Sequence, residues 1–431
     1  MKRIAVVGLG YVGIPVACAF AKEGFEVVGV DIDKRKIAMI NDGICPIEGK
    51  EPDLKELFEE AHRDHGFRAT SDFSSCKEAD AILVSVDTPI DERTKIPGFN
   101  SLKTALSSIG ENLSKGTILS VESTVAPGTI SKIVQPILEE KSGLKAGEDF
   151  LLAHCPERLK VGKLLYNLIN CDRIIGGINE ESAKAARDLY APISKGDLHL
   201  TDALTAEVVK TTENAYRDVE IAFANELALI CEALGIDVFE TRTLVNTSPN
   251  RHMHEPGSGV GGHCLPKDSW LLLYGAGMDP EGSIISIARD INERMPHHLF
   301  DLIVEAFEES GKELQGSRVA VMGFAFIEDS DDSRNTPALP VIHKLIESGA
   351  DVMVHDPYVN SHEGISLTRD LDEALSDADA AVFVTKHEAY GKMTPKDLKS
   401  KMKGSIVVDG RNIFEKSIMR NLGIILKAIG K

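Results

Sequence analysis

The segment GVGGHCLPKD (residues 259–268) sets Cys264 behind a glycine pair and places Lys267 and Asp268 three and four residues further on. A cysteine thiolate adds to an aldehyde to give a tetrahedral thiohemiacetal, which loses hydride to become a thioester that water cleaves. An alcohol taken through both oxidations loses four electrons and ends as a carboxylate, whereas an enzyme that stops after one hydride needs no covalent nucleophile. Gly261 and Gly262 would let a substrate approach the sulfur, and a helix starting after Cys264 would favour its thiolate. Asp268, one turn beyond, could orient a lysine or take a proton from water. Lys210, Asn214 and Arg217, spaced i, i+4 and i+7, share one helix face. A lysine and an amide there could stabilise the oxyanion of each tetrahedral state. The same spacing also fits a solvated polar stripe, and a single cysteine also fits a packing thiol.

The hydride needs an acceptor, and the chain opens with the residues for one. Gly8, Gly10 and Gly13 spell G-x-G-x-x-G after a first apolar strand, and Asp31 ends the second. Glycines there allow a tight turn and close approach of a pyrophosphate to a helix start, while the carboxylate accepts from a ribose diol. The same carboxylate repels a 2′-phosphate, so NAD is expected rather than NADP.

The elements that carry these groups read as α/β at both ends and helical in the middle. RIAVVG, FEVVGVD, AILVSVD, TILSVEST, DFLLAHC and RIIGG are short apolar strands, mostly separated by helical stretches such as VGIPVACAFAKEG and ISKIVQPILEEKSG. That alternation predicts a largely parallel, doubly wound sheet. Residues 202–235 form a proline-free run with helical apolar spacing and a glycine stop. Such a helix extends roughly 50 Å, enough to join two domains and offer a face to another subunit. After a polar linker at 310–317, RVAVMGF, DVMVHDP, AAVFVT and SIVVDGR predict a second nucleotide-binding-like domain. The predicted division is 1–200, 201–310 and 311–431: two Rossmann-like doubly wound domains joined by a central long-helix domain.

Formal net charge is −19, which argues against a nonspecific grip on nucleic acid. No basic stretch with a long hydrophobic run opens the chain, so a cytoplasmic protein without membrane attachment is expected. Seven cysteines, an odd number, argue against a disulfide framework. Cys155 and Cys171 are too isolated to suggest zinc, and no metal is expected.

Taken together, VGLGYVGIPVA, VESTVAPGT, CPERL, KTTENAYRDV, GVGGHCLPKD, MGFAFIEDSDDSRNTPAL and VVDGRNIF resemble, in order and over essentially the whole chain, the nucleotide-sugar 6-dehydrogenases of the UDP-glucose and GDP-mannose dehydrogenase type. The resemblance implies Cys264 as nucleophile, Lys210 and Asn214 as oxyanion stabilisers, and Asp268 supporting thioester hydrolysis. It implies that Thr124 and Glu157 position the catalytic water and the substrate. It places NAD on Gly8, Gly10, Tyr11, Val12, Gly13, Asp31, Thr88 and Thr124. It places a UDP-sugar on Glu157, Arg158, Lys210, Asn214, Arg217, Arg251, Gly261, His263, Phe326 and Arg411. It also implies a homodimer, or a dimer of dimers, through the central helix. Val161 replaces a second glutamate of relatives acting on UDP-glucose, Ile327 replaces their lysine, and His263-Cys264 their Ser-Cys. These departures lean away from UDP-glucose, and ENAYRDVEIAFANEL and GGHC resemble the branch oxidising UDP-N-acetylhexosamines. UDP-N-acetyl-D-mannosamine is the expected substrate, with UDP-N-acetylglucosamine second and UDP-glucose third. His263 is expected to shape the pocket, since adjacent turn residues usually point apart. The competing readings are a two-electron hydroxyacid dehydrogenase and a non-catalytic NAD-binding module.

Overall fold

The structure, a computed structural model describing residues 2–431, forms two compact units. One comprises Met1–Glu213 with Trp270–Asp279, the other Asn214–Ser269 with Pro280–Lys431.

The first unit is built on eight strands: β1 (Arg3–Val7), β2 (Glu26–Val30), β3 (Arg68–Thr70), β4 (Ala81–Val84), β5 (Ile118–Val121), β6 (Leu151–His154), β7 (Arg173–Gly177) and β8 (Leu198–Asp202). Their order is β3-β2-β1-β4-β5-β6-β7-β8, parallel throughout except where β7 runs against β6. The six strands expected from the sequence form. The additional two are edge strands: β3 has three residues and β8 buries none of its five, so neither carries an apolar run.

A parallel sheet must be covered on both faces. Helices Gly13–Lys22, Leu54–Arg63 and Glu180–Tyr190 bring Phe20, Phe58 and Tyr190 to one face. Helix Asn100–Gly110 and the helical segment 130–142 bring Leu102, Leu106, Ile130 and Leu138 to the other. Leu54, Leu57, Phe58 and Ala61 show why such segments are helices: their spacing makes one buried stripe. Each large apolar side chain so buried contributes about 1.5–3 kcal/mol.

The second unit repeats the plan with six strands: β9 (Arg318–Met322), β10 (Asp351–His355), β11 (Leu367–Thr368), β12 (Ala380–Phe383), β13 (Ile406–Asp409) and β14 (Ile425–Ala428). Their order, β11-β10-β9-β12-β13-β14, is parallel throughout. In both sheets the order reverses beside the first strand, between β1 and β4 and between β9 and β12. Ligands of doubly wound folds bind at such a reversal.

Residues Ala203–Leu234 form one unbroken helix, as expected, and it contributes to both units. It stops before Gly235, whose φ of 70° ends the helical path. In the second unit Ala224, Ala228 and Cys231 pack with Met295, Leu299 and Ile303 of helix Ile284–Ser310. Small residues on one partner let the two backbones approach.

Candidate active site

The glycine loop lies at the reversal of the first sheet. Gly8 has φ 95°, and a Cβ there would sit 2.6 Å from the Ser85 carbonyl oxygen. A Cβ on Gly10 would meet nothing within 4 Å, so the loop is open to a ligand at that point. No side chain caps the helix that begins at Gly13. Asp31 is 8 % exposed; its Oδ2 accepts from the Leu9 amide at 2.7 Å and its Oδ1 from the Asp33 amide at 2.9 Å. Beside it stand two residues that sequence reading missed. Lys36 Nζ is 3.2 Å from Asp31 Oδ2, and Ile32 presents an apolar side chain that is 84 % exposed. A basic residue five places after the aspartate was the available signal. An open loop, an uncapped helix start and a carboxylate with acceptor capacity left fit the pyrophosphate and ribose of a dinucleotide.

The carboxyl ends of β4, β5 and β6 carry the next group. Thr88 donates its hydroxyl to the Thr124 carbonyl at 2.7 Å, tying two expected cofactor residues together. Glu157 is 8 % exposed and both its oxygens accept from the Leu159 amide. Burial raises the Glu157 carboxyl above its ordinary value, opposed by the charge of Lys210, the Leu159 amide and Arg173. Lys210 is 7 % exposed, so this unit holds a buried ammonium whose charge acts on the carboxyl expected to contact substrate. His154 is fully buried; its Nδ1 donates to the Val121 carbonyl at 2.9 Å in the neutral tautomer, and its Nε2 has no partner. Burial pulls that imidazole down to about 4, and the charge of Lys210 adds to the effect.

Beneath these groups Glu122 is 1 % exposed and accepts from Ser85 Oγ at 2.7 Å and Tyr190 Oη at 2.9 Å. Burial nevertheless pushes it up to about 7. Arg158, expected on the substrate, has its guanidinium on the Glu213 carboxylate and the Asp172 carbonyl. Glu213 lies on the long helix, so Arg158 braces that helix within the unit.

The second unit holds the thiol. Cys264 is the one exposed cysteine of the seven, and its carbonyl accepts from the amides of Lys267 at 3.1 Å and Asp268 at 2.9 Å. It therefore stands at the N-terminus of helix Leu265–Ala276, as expected. Asp268 has no exposure; its Oδ2 accepts from Asn214 Nδ2 at 2.5 Å and its Oδ1 from Lys267 Nζ at 2.8 Å. The lysine it orients is thus its neighbour Lys267, which the sequence reading had left without a role.

The glycine pair needs a correction. A Cβ on Gly261 would lie 2.6 Å from Phe326 Cβ and the Asn335 carbonyl, and one on Gly262 would lie 2.8 Å from the Phe326 ring. The room they leave is filled by the protein itself, so the glycines seat the nucleophile loop on Phe326 rather than opening it to substrate. Arg411 lies along the same loop, with Nε on the Val384 carbonyl at 2.8 Å and its guanidinium against Gly257. A buried ladder fixes where the loop begins. Arg289 donates to Asp218 at 2.6 Å, Asn292 to Asp218 at 2.8 Å, Asn225 to Asn292 at 2.8 Å, and the Gly257 amide to Asn225 at 2.9 Å. Of the remaining expected residues, Tyr11, Val12 and His263 are half-buried, while Arg217 and Arg251 are exposed.

Among the described residues, Asp172, Asp197 and His199 form one group with metal-ligand spacing, and all three are exposed. No helix among them is long and apolar enough to cross a membrane.

Three family models match in order: the NAD-binding domain of the UDP-glucose/GDP-mannose dehydrogenase family over residues 2–194, its central domain over 204–294 and its UDP-binding domain over 320–416. A UDP-N-acetyl-D-mannosamine dehydrogenase of Pyrococcus horikoshii is 38 % identical over 430 residues, which is 100 % of this chain and 99 % of the relative. The solved P. horikoshii structure of that name superimposes with a TM-score of 0.92 at 38 % identity, covering 100 % of this chain and 99 % of the other. An NDP-N-acetyl-D-galactosaminuronic acid dehydrogenase of Methanosarcina mazei is 42 % identical with a TM-score of 0.85, covering 100 % and 95 %. With glycine loop, buried lysine, exposed thiol and every domain matched in order, this chain belongs to the UDP-glucose/GDP-mannose dehydrogenase family and is an NAD-dependent nucleotide-sugar dehydrogenase.

Proposed function

We propose that the chain oxidises the C6 alcohol of a UDP-N-acetylhexosamine to the uronate, with UDP-N-acetyl-D-mannosamine as substrate. The observation that carries the four-electron reading is Cys264: an exposed thiol at a helix N-terminus, one turn from a buried aspartate held by Asn214. NAD, held by Gly8, Gly10, Tyr11, Val12, Gly13, Asp31, Thr88 and Thr124, supplies the hydride acceptor for both oxidations. The Cys264 thiolate adds to the aldehyde carbon, and the oxygen of the resulting thiohemiacetal is stabilised by the Lys210 ammonium and the Asn214 amide. After the second oxidation, water positioned by Thr124 and Glu157 attacks the thioester. Asp268 holds Asn214 in place, and carboxylate leaves as the thiol is restored. Arg158, Arg217, Arg251, His263, Phe326 and Arg411 serve the nucleotide sugar, Gly261 seats the nucleophile loop on Phe326, and Arg158 also braces the helix that carries Lys210.

The division at residues 200 and 310 assigns the cofactor to the first part and the UDP half to the last. A homodimer through the central helix is supported by Tyr216, Phe223, Ile230 and Leu234, which are 64, 60, 48 and 67 % exposed. The first three recur every seven residues and so form one apolar stripe. A cytoplasmic role in polysaccharide biosynthesis follows from this substrate class.

The sugar assignment draws on the N-acetylated substrates named for both relatives, and on Val161 and Ile327 standing where charged residues serve UDP-glucose. The M. mazei relative favours a second reading, a galacto-configured N-acetyl sugar. Purified enzyme assayed against UDP-N-acetyl-D-mannosamine, UDP-N-acetylglucosamine, UDP-N-acetylgalactosamine and UDP-glucose separates them. Highest kcat/KM on the mannosamine is expected, and a clear preference for UDP-glucose would sink the N-acetyl assignment.

A further inference from the structure

Glu207 lies one turn before Lys210 on the long helix, 1 % exposed, in a position where a charge needs partners. Its partners are backbone amides of another segment. Oε2 accepts from Gly128 at 2.6 Å and Oε1 from Ile130 at 2.7 Å. These amides open the helical segment 130–142, a place that attracts anions. The anion here is the protein's own. The segment it grips begins four residues earlier at Thr124, whose carbonyl is in turn held by Thr88. Between them Thr129 Oγ1 closes on the Ala126 carbonyl at 2.5 Å, which makes the connection short and stiff. One bidentate carboxylate thus joins the two stretches of chain that carry Lys210 and Thr124. Residues at i and i+3 share a helix face, so a shift of Glu207 carries Lys210 with it.

We propose that Glu207 is a positioning residue for the reaction: it fixes Lys210 in register with the Thr124 loop. An oxyanion donor works only when it is held in place, and a misplacement of about 1 Å costs about 10²-fold in rate. The inference rests on Lys210 acting on the tetrahedral intermediates.

A double-mutant cycle in the full-length enzyme tests it, with Glu207→Gln made in wild-type and Lys210→Ala backgrounds. The Gln amide N–H₂ cannot accept from a backbone amide, so one of the two bonds is lost. In the wild-type background kcat is expected to fall about 10²-fold. In the Lys210→Ala background the same change is expected to cost no further activity, since the group it positions is gone. If Glu207→Gln fails to fold, Glu207→Asp, which withdraws the carboxylate by one methylene, takes its place in the same cycle. Unchanged kcat in the wild-type background, or an equal loss in both, would overturn the inference while leaving the role of Lys210 standing. Unchanged kcat on Lys210→Ala would remove that role and the inference with it.

Discussion

Asp31 and Asp356 stand at equivalent places in the two sheets, each just past the strand that follows a glycine turn. Gly8 and Gly323 have φ of 95° and 97°, and their amides donate to Val30 and His355 at 2.8 Å in both cases. The backbones agree, and the carboxylates do not. Asp356 has no exposure, and its oxygens accept from four amides, Phe324, Ala325, Tyr358 and Val359, and from His387 Nε2 at 3.1 Å. Burial would raise it, but His387 and the amides outweigh that and take it down to about 2. Asp31 accepts from only two amides and from Lys36, beside an open loop. One fold therefore yields a carboxylate with acceptor capacity left for a ribose and another saturated by its own loop. Glu122 and Glu207 of the first unit are pushed up to about 7 by burial that their hydrogen bonds do not fully offset. Asp218 of the second unit, within the Arg289–Asn292 ladder, is likewise pushed up to about 6 by burial, so under-compensated acids stand at structural as well as functional points.

The contrast is sharpest between two cysteines. Cys264→Ala is expected to abolish uronate formation while thermal stability and NAD binding persist. Cys155→Ala, which removes a thiol that burial pushes up to about 12, is expected to cost stability and retain the four-electron reaction. Product mass and melting temperature of both variants check this, and uronate made by Cys264→Ala at the wild-type rate would break it.

The aspartates come next. Asp356→Ala leaves His387 and four amides without their acceptor, and about 3–5 kcal/mol of stability is expected to be lost. Asp31→Ala is expected to raise KM for NAD and weaken the preference over NADP, with a far smaller stability change. Denaturant titration and paired cofactor assays separate the two, and equal destabilisation would erase the distinction.

Lys210→Ala is expected to lower kcat by about 10²–10³ with KM for the sugar little changed, because the ammonium is proposed to act on charge that forms only in the tetrahedral states. A raised KM at constant kcat would make Lys210 a binding residue.

The smallest effect concerns pH. Below the ordinary glutamate value of 4.5 Glu122 is protonated in folded and unfolded chains alike. As pH rises from 4.5 to about 7 the unfolded chain releases this proton first, so stability falls by about 1.4 kcal/mol per pH unit, to an upper bound of about 3 kcal/mol. Above 7 the loss is complete. Glu122→Gln is expected to flatten part of that slope in melting curves from pH 4.5 to 8; an unchanged slope would show that Glu122 ionises as readily when folded.

What was legible in the sequence had a local cause. The glycine loop, Asp31 and the long helix could be read because a turn, a strand end and a helical period are written in adjacent residues. Cys264 and its helix were legible for the same reason. β3, β8, β11 and β14 were not, since edge strands need little apolar surface. Glu122, His154 and Glu207 were not either: a carboxylate or imidazole in a string looks solvated until distant strands close over it. The glycines at 261 and 262 were read as an opening because their actual neighbour, Phe326, is far away in the chain.

The central claim is that one active site carries an alcohol through aldehyde and thioester to carboxylate. Counting NADH formed per molecule of limiting UDP-N-acetylhexosamine, with the product mass read from the same sample, tests it most directly. Two NADH and a uronate are expected; one NADH with aldehyde as the end product would contradict it.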